Sequence, residues 1–316
     1  MKISIIIPSK NEAKRIGYVL ESWAKICEGL DYEIIVIDDS EDETPKIIEK
    51  FSKKYKNIRQ IRGEKKGVGA ARNLGLKYSS GEIVIWSDAD GGPELLEEDY
   101  IKDCKEWINS VIDCFKNENA DIIISDHKYY FTGNLIQDIE TLRQFNPQSM
   151  MGECYRKKVL DNNLISEGVT VGEDVEIYIK ALNKARNIVK TSKPKPVFAS
   201  VRSIKDIYRR YIWYGKDIWV FLKYNKRQTY RITMPVLHTV SVLVVPLVVL
   251  NPMYVLPYIT VTTIEYVRHK NKFKIAKKSK RLTAWFLIPF LVTFERVIYT
   301  VGIILGLKNL FQRCSR

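Results

Sequence analysis

Glu82-Ile83-Val84-Ile85-Trp86-Ser87-Asp88-Ala89-Asp90 is the stretch on which the reading of this chain turns. Its large apolar residues, rich in β-branched side chains, form a run too short for a helix and read as a strand covered on both faces. The run ends in two carboxylates one residue apart. Where a buried strand opens into a loop, such a pair can hold a divalent cation and a ribose hydroxyl together, as handling a nucleoside diphosphate requires. Hard cations take oxygen ligands, usually one or two carboxylates completed by substrate phosphates. An Asp-x-Asp triplet also occurs in ordinary solvated loops, so its meaning depends on its surroundings.

Upstream, similar runs recur. Residues 3–7 form a continuous apolar strand, and Pro8-Ser9-Lys10-Asn11-Glu12 breaks it, offering Ser9 or Asn11 as a helix cap. Ile16, Val19, Leu20, Trp23 and Cys27 follow at helical spacing. Residues 32–37 read as a second strand, Ile47, Ile48, Phe51 and Tyr55 as a second helix, residues 57–61 as a weaker strand, and residues 70–78 as a third helix. The order βαβαβαβ predicts a mostly parallel sheet with helices on both faces and right-handed crossovers. Ligands of such sheets bind at the carboxyl ends of the strands, so the loops at 8–12, 38–44 and 87–93 should gather at one edge. Downstream, residues 93–118 read as a long helix with Leu96, Tyr100, Cys104, Trp107, Val111 and Phe115 on one face and acids near its start. Residues 121–125 form another strand.

The chain has 316 residues and a net charge of +14. It carries no zinc-finger spacing, RNA-binding sheet signature or basic zipper, and much of the positive excess flanks apolar stretches in the last third. Those features favour a membrane surface and exclude nucleic acid as the partner. The cysteines, five in number, lack metal-ligand spacing and read as reduced thiols. The opening residues form a strand and no secretory signal, which puts the soluble part in the cytoplasm. Between 203 and 222, Ile204, Ile207, Tyr208, Tyr211, Ile218, Trp219 and Leu222 make an apolar stripe bracketed by Lys205, Arg209, Arg210, Lys216 and Lys223. Such a helix suits a membrane interface; packing on the soluble domain is the alternative.

Residues 234–267 are almost wholly apolar around Asn251-Pro252, longer than one span and slightly short for two. The basic tract 268–281 belongs on the cytoplasmic side, so the apolar run should enter and return as a hairpin. Residues 284–307 contain Glu295 and Arg296, costly at membrane depth, and are expected to bend back or lie partly in the interface. The basic tail 308–316 also suits the cytoplasmic side. The expected organisation is a catalytic domain over 1–202, an interfacial helix region over 203–232 and membrane-embedded helices over 233–316, giving a multi-pass membrane protein with its catalytic domain in the cytoplasm.

Five blocks carry a resemblance: Ile5-Ile6-Ile7-Pro8-Ser9-Lys10-Asn11-Glu12, Val36-Ile37-Asp38-Asp39-Ser40-Glu41-Asp42-Glu43-Thr44, Gly69-Ala70-Ala71-Arg72-Asn73-Leu74-Gly75, Ser87-Asp88-Ala89-Asp90, and Gly172-Glu173-Asp174 followed by Val175-Glu176. In this order, over about the first 180 residues, they resemble the inverting family-2 glycosyltransferases of the GT-A fold, an α/β fold with a Rossmann-like mixed sheet. The resemblance implies a UDP- or GDP-sugar donor and Mg²⁺ or Mn²⁺. It implies that Pro8 and Glu12 shape the pocket for base and ribose, and that Asp38 accepts a hydrogen bond from the base. The family usually has one more residue between the paired acids and the following Thr, so Asp38, Asp39 or both address the base. Arg72 would lie near base or diphosphate, or else be an exposed helix arginine. Asp88 would hold the ribose and Asp90 the metal. Asp174 would be the general base, with Glu173 and Glu176 raising its pKa by repulsion; the alternative is a run of acids capping a helix that begins near Val175. Gly152-Glu153-Cys154-Tyr155-Arg156 stands where relatives shape the acceptor pocket, with Arg156 placed to meet an anionic acceptor.

The expected activity is inverting transfer of a sugar to a hydroxyl of a lipid-linked polyprenyl saccharide at the cytoplasmic membrane face. The alternative is a polyprenyl-phosphate sugar synthase. Tyr208-Arg209-Arg210-Tyr211-Ile212-Trp213 lacks the Gln-x-x-Arg-Trp block of processive synthases, which argues against a polymer synthase. A sugar nucleotidyltransferase would need a Gly-rich basic loop after Ile7, and a catalytically dead scaffold is at odds with acids at 88, 90 and 174.

Overall fold

The computed structural model describes residues 1–90, 98–144, 154–160, 164–166 and 168–314. Two compact units emerge, one comprising Met1–Tyr130 and Asn146–Ser200, the other Phe131–Phe145 and Val201–Arg316. Residues 131–145, inside the first domain on the sequence reading, thus pack with the helical second unit.

The first unit opens with β1 (Ile3–Ser9), α1 (Ile16–Ile26), β2 (Tyr32–Asp38), α2 (Thr44–Lys54), β3 (Ile58–Arg62), α3 (Val68–Tyr78) and β4 (Ile83–Trp86). Then come α4 (Glu98–Asn117), β5 (Ile122–Ile124) and β6 (His127–Tyr129). The chain leaves the unit as α5 (Leu135–Gln144) and returns as β7 (Cys154–Arg156), α6 (Glu173–Leu182), β8 (Ile188–Lys190) and β9 (Lys195–Val197). The main sheet runs β3-β2-β1-β4-β7-β5-β8. β1, β2, β3 and β4 are parallel, whereas β7 runs antiparallel to both β4 and β5. The sheet is therefore mixed.

Ile5, Ile6, Ile7, Ile34, Ile35, Val36, Ile37, Ile83 and Val84 are completely buried, as continuous apolar strands covered on both faces must be. Each contributes roughly 1.5–3 kcal/mol of burial. Tyr100, Cys104, Trp107, Val111 and Phe115 line the buried side of α4, as their spacing predicts, while Glu94, Leu96 and Glu97 lie outside the described residues. Chain order reverses direction at β1, with β2 and β3 on one side and β4 on the other. That topological switch point is where ligands bind in open α/β sheets.

The second unit contains α5, α7 (Ile204–Tyr224), α8 (Tyr230–Val244), α9 (Leu256–Arg268), α10 (Phe273–Lys278) and α11 (Leu282–Cys314). A capping box starts α7: the Asp206 backbone N–H donates to Ser203 Oγ and the Ser203 N–H donates to Asp206 Oδ2. Such a cap is worth about 1 kcal/mol. Ile207, Ile218, Phe221 and Leu222 bury on the helices, but Ile204, Tyr208, Trp213 and Tyr224 are exposed beside Lys205, Arg209, Lys216 and Lys223. The apolar residues of α7 thus face two ways. α11 presses on α7 at Gly302, where an added Cβ would lie 2.7 Å from the Ile212 carbonyl and 2.9 Å from Gly215 Cα.

Residues 284–307 do not bend back. They form part of one continuous helix, despite Pro289, because Glu295 meets Arg143 of α5 at 3.3 Å and Arg296 lies 4.0 Å from Glu265. The hairpin expected around Asn251-Pro252 is present as α8, two short 3₁₀ turns (Val245–Val249 and Pro252–Val255) and α9. Among the described residues, Tyr230–Val249 and Leu282–Leu307 are long and apolar enough to cross a membrane.

Candidate active site

Because β1, β2 and β4 are parallel and adjacent, their carboxyl ends emerge side by side. Ser9 stands opposite Asp38 and Ile6 opposite Trp86. The loops are then tied together. Asp39 N donates to Ser9 O at 2.9 Å, Asn11 N to Ser40 Oγ at 2.7 Å, and Glu41 N to Asn11 Oδ1 at 2.9 Å. Trp23 Nε1 of α1 donates to Ser87 Oγ at 2.9 Å, fixing the loop that carries Asp88 and Asp90. Pro8 and Glu12 sit half-buried on the first loop, and the Glu12 carbonyl accepts from the N–H groups of Arg15 and Ile16 to start α1.

The acids at the end of β2 are turned inward. Asp38 is fully buried, with Oδ1 accepting from Ser40 Oγ at 2.6 Å and Oδ2 from Gln60 Nε2 at 3.0 Å. Asp39 Oδ1 accepts from the Lys65 N–H at 3.0 Å. Both carboxylates therefore already serve to fix the loop, and Gln60, a contributor invisible in the motif, holds the first.

Arg72 unites the rest. It lies on α3, packed into the unit with its side chain only 7% exposed, so it is no surface arginine. Nη2 donates to Asp88 Oδ1 at 2.8 Å and Nη1 to Glu173 Oε1 at 2.9 Å; Nε has no hydrogen-bond partner among the described residues. Burial works against its charge, but Glu173, Asp88 and Asp174 outweigh it and hold its pKa above the ordinary arginine value. Asp88 is open to solvent, with 61% of its side chain exposed.

α6 begins at Glu173, two residues earlier than expected, after Gly172 at φ +79°, a left-handed conformation natural to glycine. Glu173, Asp174 and Glu176 all fall in its first turn, where the helix dipole favours acids. Their roles separate there. Asp174 is exposed. Glu176 is buried, where it accepts from Ser166 and pairs with Lys180 at 2.8 Å, so it serves the local fold. Glu173 is the carboxyl with the raised pKa, at about 7: burial pushes it up, the charges of Asp174 and Asp88 add, and Arg72 opposes. Sequence spacing placed Glu173 beside Asp174 but gave no sign of its pairing with Arg72.

Arg156 has a different task from the one expected. Its Nε donates to the Ala120 carbonyl at 2.9 Å and Nη2 to the Phe115 carbonyl at 2.7 Å, so it caps the end of α4. Gly152 and Glu153 lie outside the described residues. Asp90 Oδ2 is 3.6 Å from Arg15 Nη1, a long and partly exposed pair. Among the described residues no three His, Cys, Asp or Glu side chains converge as a cation cage. An exposed Asp88 and a partly exposed Asp90 on one loop nevertheless fit a hard cation that takes its remaining oxygens from phosphates.

Residues 4–162 match the family model described as Glycosyl transferase family 2. Relatives include the dolichol-phosphate mannosyltransferase of Pyrococcus furiosus, 31% identical over 165 residues that are 51% of this chain and 43% of that protein. Another is the poly(ribitol-phosphate) beta-N-acetylglucosaminyltransferase TarS of Staphylococcus aureus, 34% identical over 112 residues, 34% of this chain and 19% of that protein. The chain thus spans less than half the length of these curated relatives. A crystal structure of S. aureus TarS 1–349 in complex with UDP superposes with a TM-score of 0.49 at 20% identity, covering 99% of this chain and 92% of that one. The chain belongs to glycosyl transferase family 2, and its first unit is a glycosyltransferase domain of the GT-A fold.

Proposed function

We propose that the protein is an inverting glycosyltransferase that moves a sugar from a UDP- or GDP-sugar to a hydroxyl of a lipid-linked saccharide at the cytoplasmic face of a membrane. The carrying observation is the Arg72 bridge, which ties the strand-end acid Asp88 to Glu173, next to Asp174. In this reading Asp38 or Asp39 recognises the base, with Pro8 and Glu12 walling the nucleotide pocket, and Asp88 holds the ribose. Asp90, with Asp88, would hold Mg²⁺ or Mn²⁺, which when bound offsets the charge of the departing diphosphate. Asp174 accepts the proton of the acceptor hydroxyl as that oxygen attacks the anomeric carbon from the face opposite the diphosphate. The new glycosidic bond forms as the carbon–oxygen bond to the donor breaks, and the electron pair leaves with the nucleoside diphosphate. Arg72, a planar cation beside Asp88, can turn toward phosphate oxygens when the donor binds.

A second reading has support in a relative named dolichol-phosphate mannosyltransferase. There the acceptor is a phosphate monoester, already ionised and in no need of a base. The two readings part in one experiment. Membranes containing the wild type or Asp174→Asn are incubated with labelled UDP- and GDP-sugars, a lipid extract, and Mg²⁺ or Mn²⁺. Severe loss in the variant supports the hydroxyl acceptor, retained turnover supports the phosphate, and no transfer by the wild type from any donor sinks both.

A further inference from the structure

We propose that the α8–α9 hairpin is a one-leaflet anchor, entering the bilayer from the cytoplasmic side and returning without crossing it. The inference rests on the membrane placement proposed above and gives the depth of the hairpin expected there. From Ile232 through Ile264 the chain has no Asp, Glu, Lys or Arg. Every residue from 246 to 254 is exposed, with Val249 at 90%, Leu250 at 78% and Met253 at 63%. A contiguous apolar surface of this kind marks a contact with an apolar partner.

The tip is chemically prepared for hydrocarbon. Of its two polar side chains, Asn251 accepts from Met253 N at 2.9 Å, and Tyr254 carries a hydroxyl on an otherwise apolar ring. The backbone N–H groups of Leu250, Asn251 and Tyr254 donate to carbonyls within the turns, and Pro246, Pro252 and Pro257 bring no N–H at all. Thr260 and Thr262 return their hydroxyls to the carbonyls of Leu256 and Tyr258. Satisfied polar groups are what lipid demands of any inserted segment. The base of the hairpin has the opposite character: Lys226, Arg227 and Arg231 precede the apolar run, and Arg268, Lys270, Lys274, Lys277 and Lys278 follow it. Such a basic collar matches anionic headgroups.

Length then selects the depth. The returning limb runs from Pro252 to Ile264, one short 3₁₀ turn and part of α9, before Glu265. At about 2.0 and 1.5 Å per residue it spans roughly 20 Å, against a hydrocarbon core of about 30 Å. Drawing Glu265 deeper would take with it Arg268, its partner at 2.9 Å, whose side chain is 48% exposed. α11 does not supply a crossing either. Its close contact at Gly302 holds it against α7, and α7 exposes Lys205, Arg209, Lys216 and Lys223 along its length. A bilayer crossed by α11 at that level would have to take these cations too.

The test places a fluorophore at the tip. Cys27, Cys104, Cys114 and Cys154 are buried, so Leu250→Cys in a Cys314→Ser background offers one reactive site for a nitrobenzoxadiazole dye. The full chain is reconstituted into phosphatidylcholine–phosphatidylglycerol vesicles. Nitroxides on the lipid acyl chains should quench most of the emission, while dithionite outside or trapped inside should leave it intact. Bleaching by dithionite from the face opposite the catalytic domain overturns the one-leaflet anchor but leaves a membrane enzyme. Bleaching from the catalytic side, or failure to join the vesicles, overturns the membrane placement as well. Protection without nitroxide quenching means that protein, such as a second copy, covers the tip, and also overturns the anchor. A companion variant, Val249→Asp with Leu250→Asp, should abolish vesicle association while the detergent-purified protein keeps the melting temperature of the wild type; undiminished association would refute the proposal.

Discussion

An arginine held between two carboxylates occurs in both units, and the two arrangements differ in what water can reach. Arg72 bridges Asp88, 61% exposed, and Glu173, 15% exposed. Arg143 lies between Glu140 and Glu295, whose side chains are 0% and 3% exposed, and also donates to Tyr211. The charges are similar, but only the first cluster keeps one partner at an open edge. An arginine there can exchange a carboxylate for a phosphate without stranding a charge in the interior. Arg143 cannot exchange anything: Glu140 is held well below the usual carboxylate range because the charges of Arg143 and Arg210 overcome its burial. The first cluster is suited to binding, the second to fixing helices.

The sharpest way to break this contrast is Arg143→Met. It takes from the enclosed Glu140 and Glu295 the cation that lies between them, and removing one partner of a buried pair costs about 3–5 kcal/mol. Denaturant unfolding in detergent should show that loss, and the triple change of Glu140→Gln, Arg143→Met and Glu295→Gln should recover much of it. If Arg143→Met is as stable as the wild type, the closed cluster is no fastener. Asp174→Asn tests the other unit. Loss of a general base lowers kcat with a hydroxyl acceptor by about 10²–10⁴. The melting temperature should hardly move, since Asp174 is exposed.

Arg72→Lys comes next in size. A single ammonium cannot reproduce the fork that reaches Asp88 and Glu173, and charge-assisted hydrogen bonds are worth about 1.5–3 kcal/mol. We expect kcat/KM to fall roughly 10- to 100-fold by the same conversion, with donor KM carrying part of the loss. An unchanged donor KM and a lowered melting temperature would recast Arg72 as a second structural arginine, like Arg143.

The sequence made some of this contrast visible and hid the rest. Apolar runs with polar ends located β1, β2 and β4 and the loops at 8–12 and 87–90, because a strand buried on both faces leaves an unmistakable composition. β7 was not legible: three residues, Cys154–Arg156, inserted antiparallel between β4 and β5, carry no period to detect. The Arg72–Glu173 bridge joins residues 101 apart, and no local pattern announces such a pairing. The bend allowed for in α11 failed for the same reason. Glu295 in an apolar run suggested either a bend or an interfacial position, and the bend is absent because its cation comes from α5. Charges in apolar surroundings are interpretable only with their partners, and partners are a tertiary property.

The smallest effect concerns Glu173, and it separates the two clusters by pH. Its pKa is raised to about 7, so the folded protein binds this proton more tightly than the unfolded chain does. Between about pH 4.5 and 7 the unfolded state has lost the proton that the folded state keeps, so the group's contribution to stability falls as pH rises and levels off above 7. Glu173→Gln keeps an acceptor for Arg72 and removes the titration. The melting temperature of the wild type relative to Glu173→Gln should therefore decline across that window and stay constant above it. The pH profile of kcat/KM should carry an inflection near 7 that the variant lacks, since ionising Glu173 adds a negative charge beside Asp174. Parallel profiles for the two proteins would mean that Arg72 keeps Glu173 ionised throughout, and that the open cluster is as fixed in charge as the closed one.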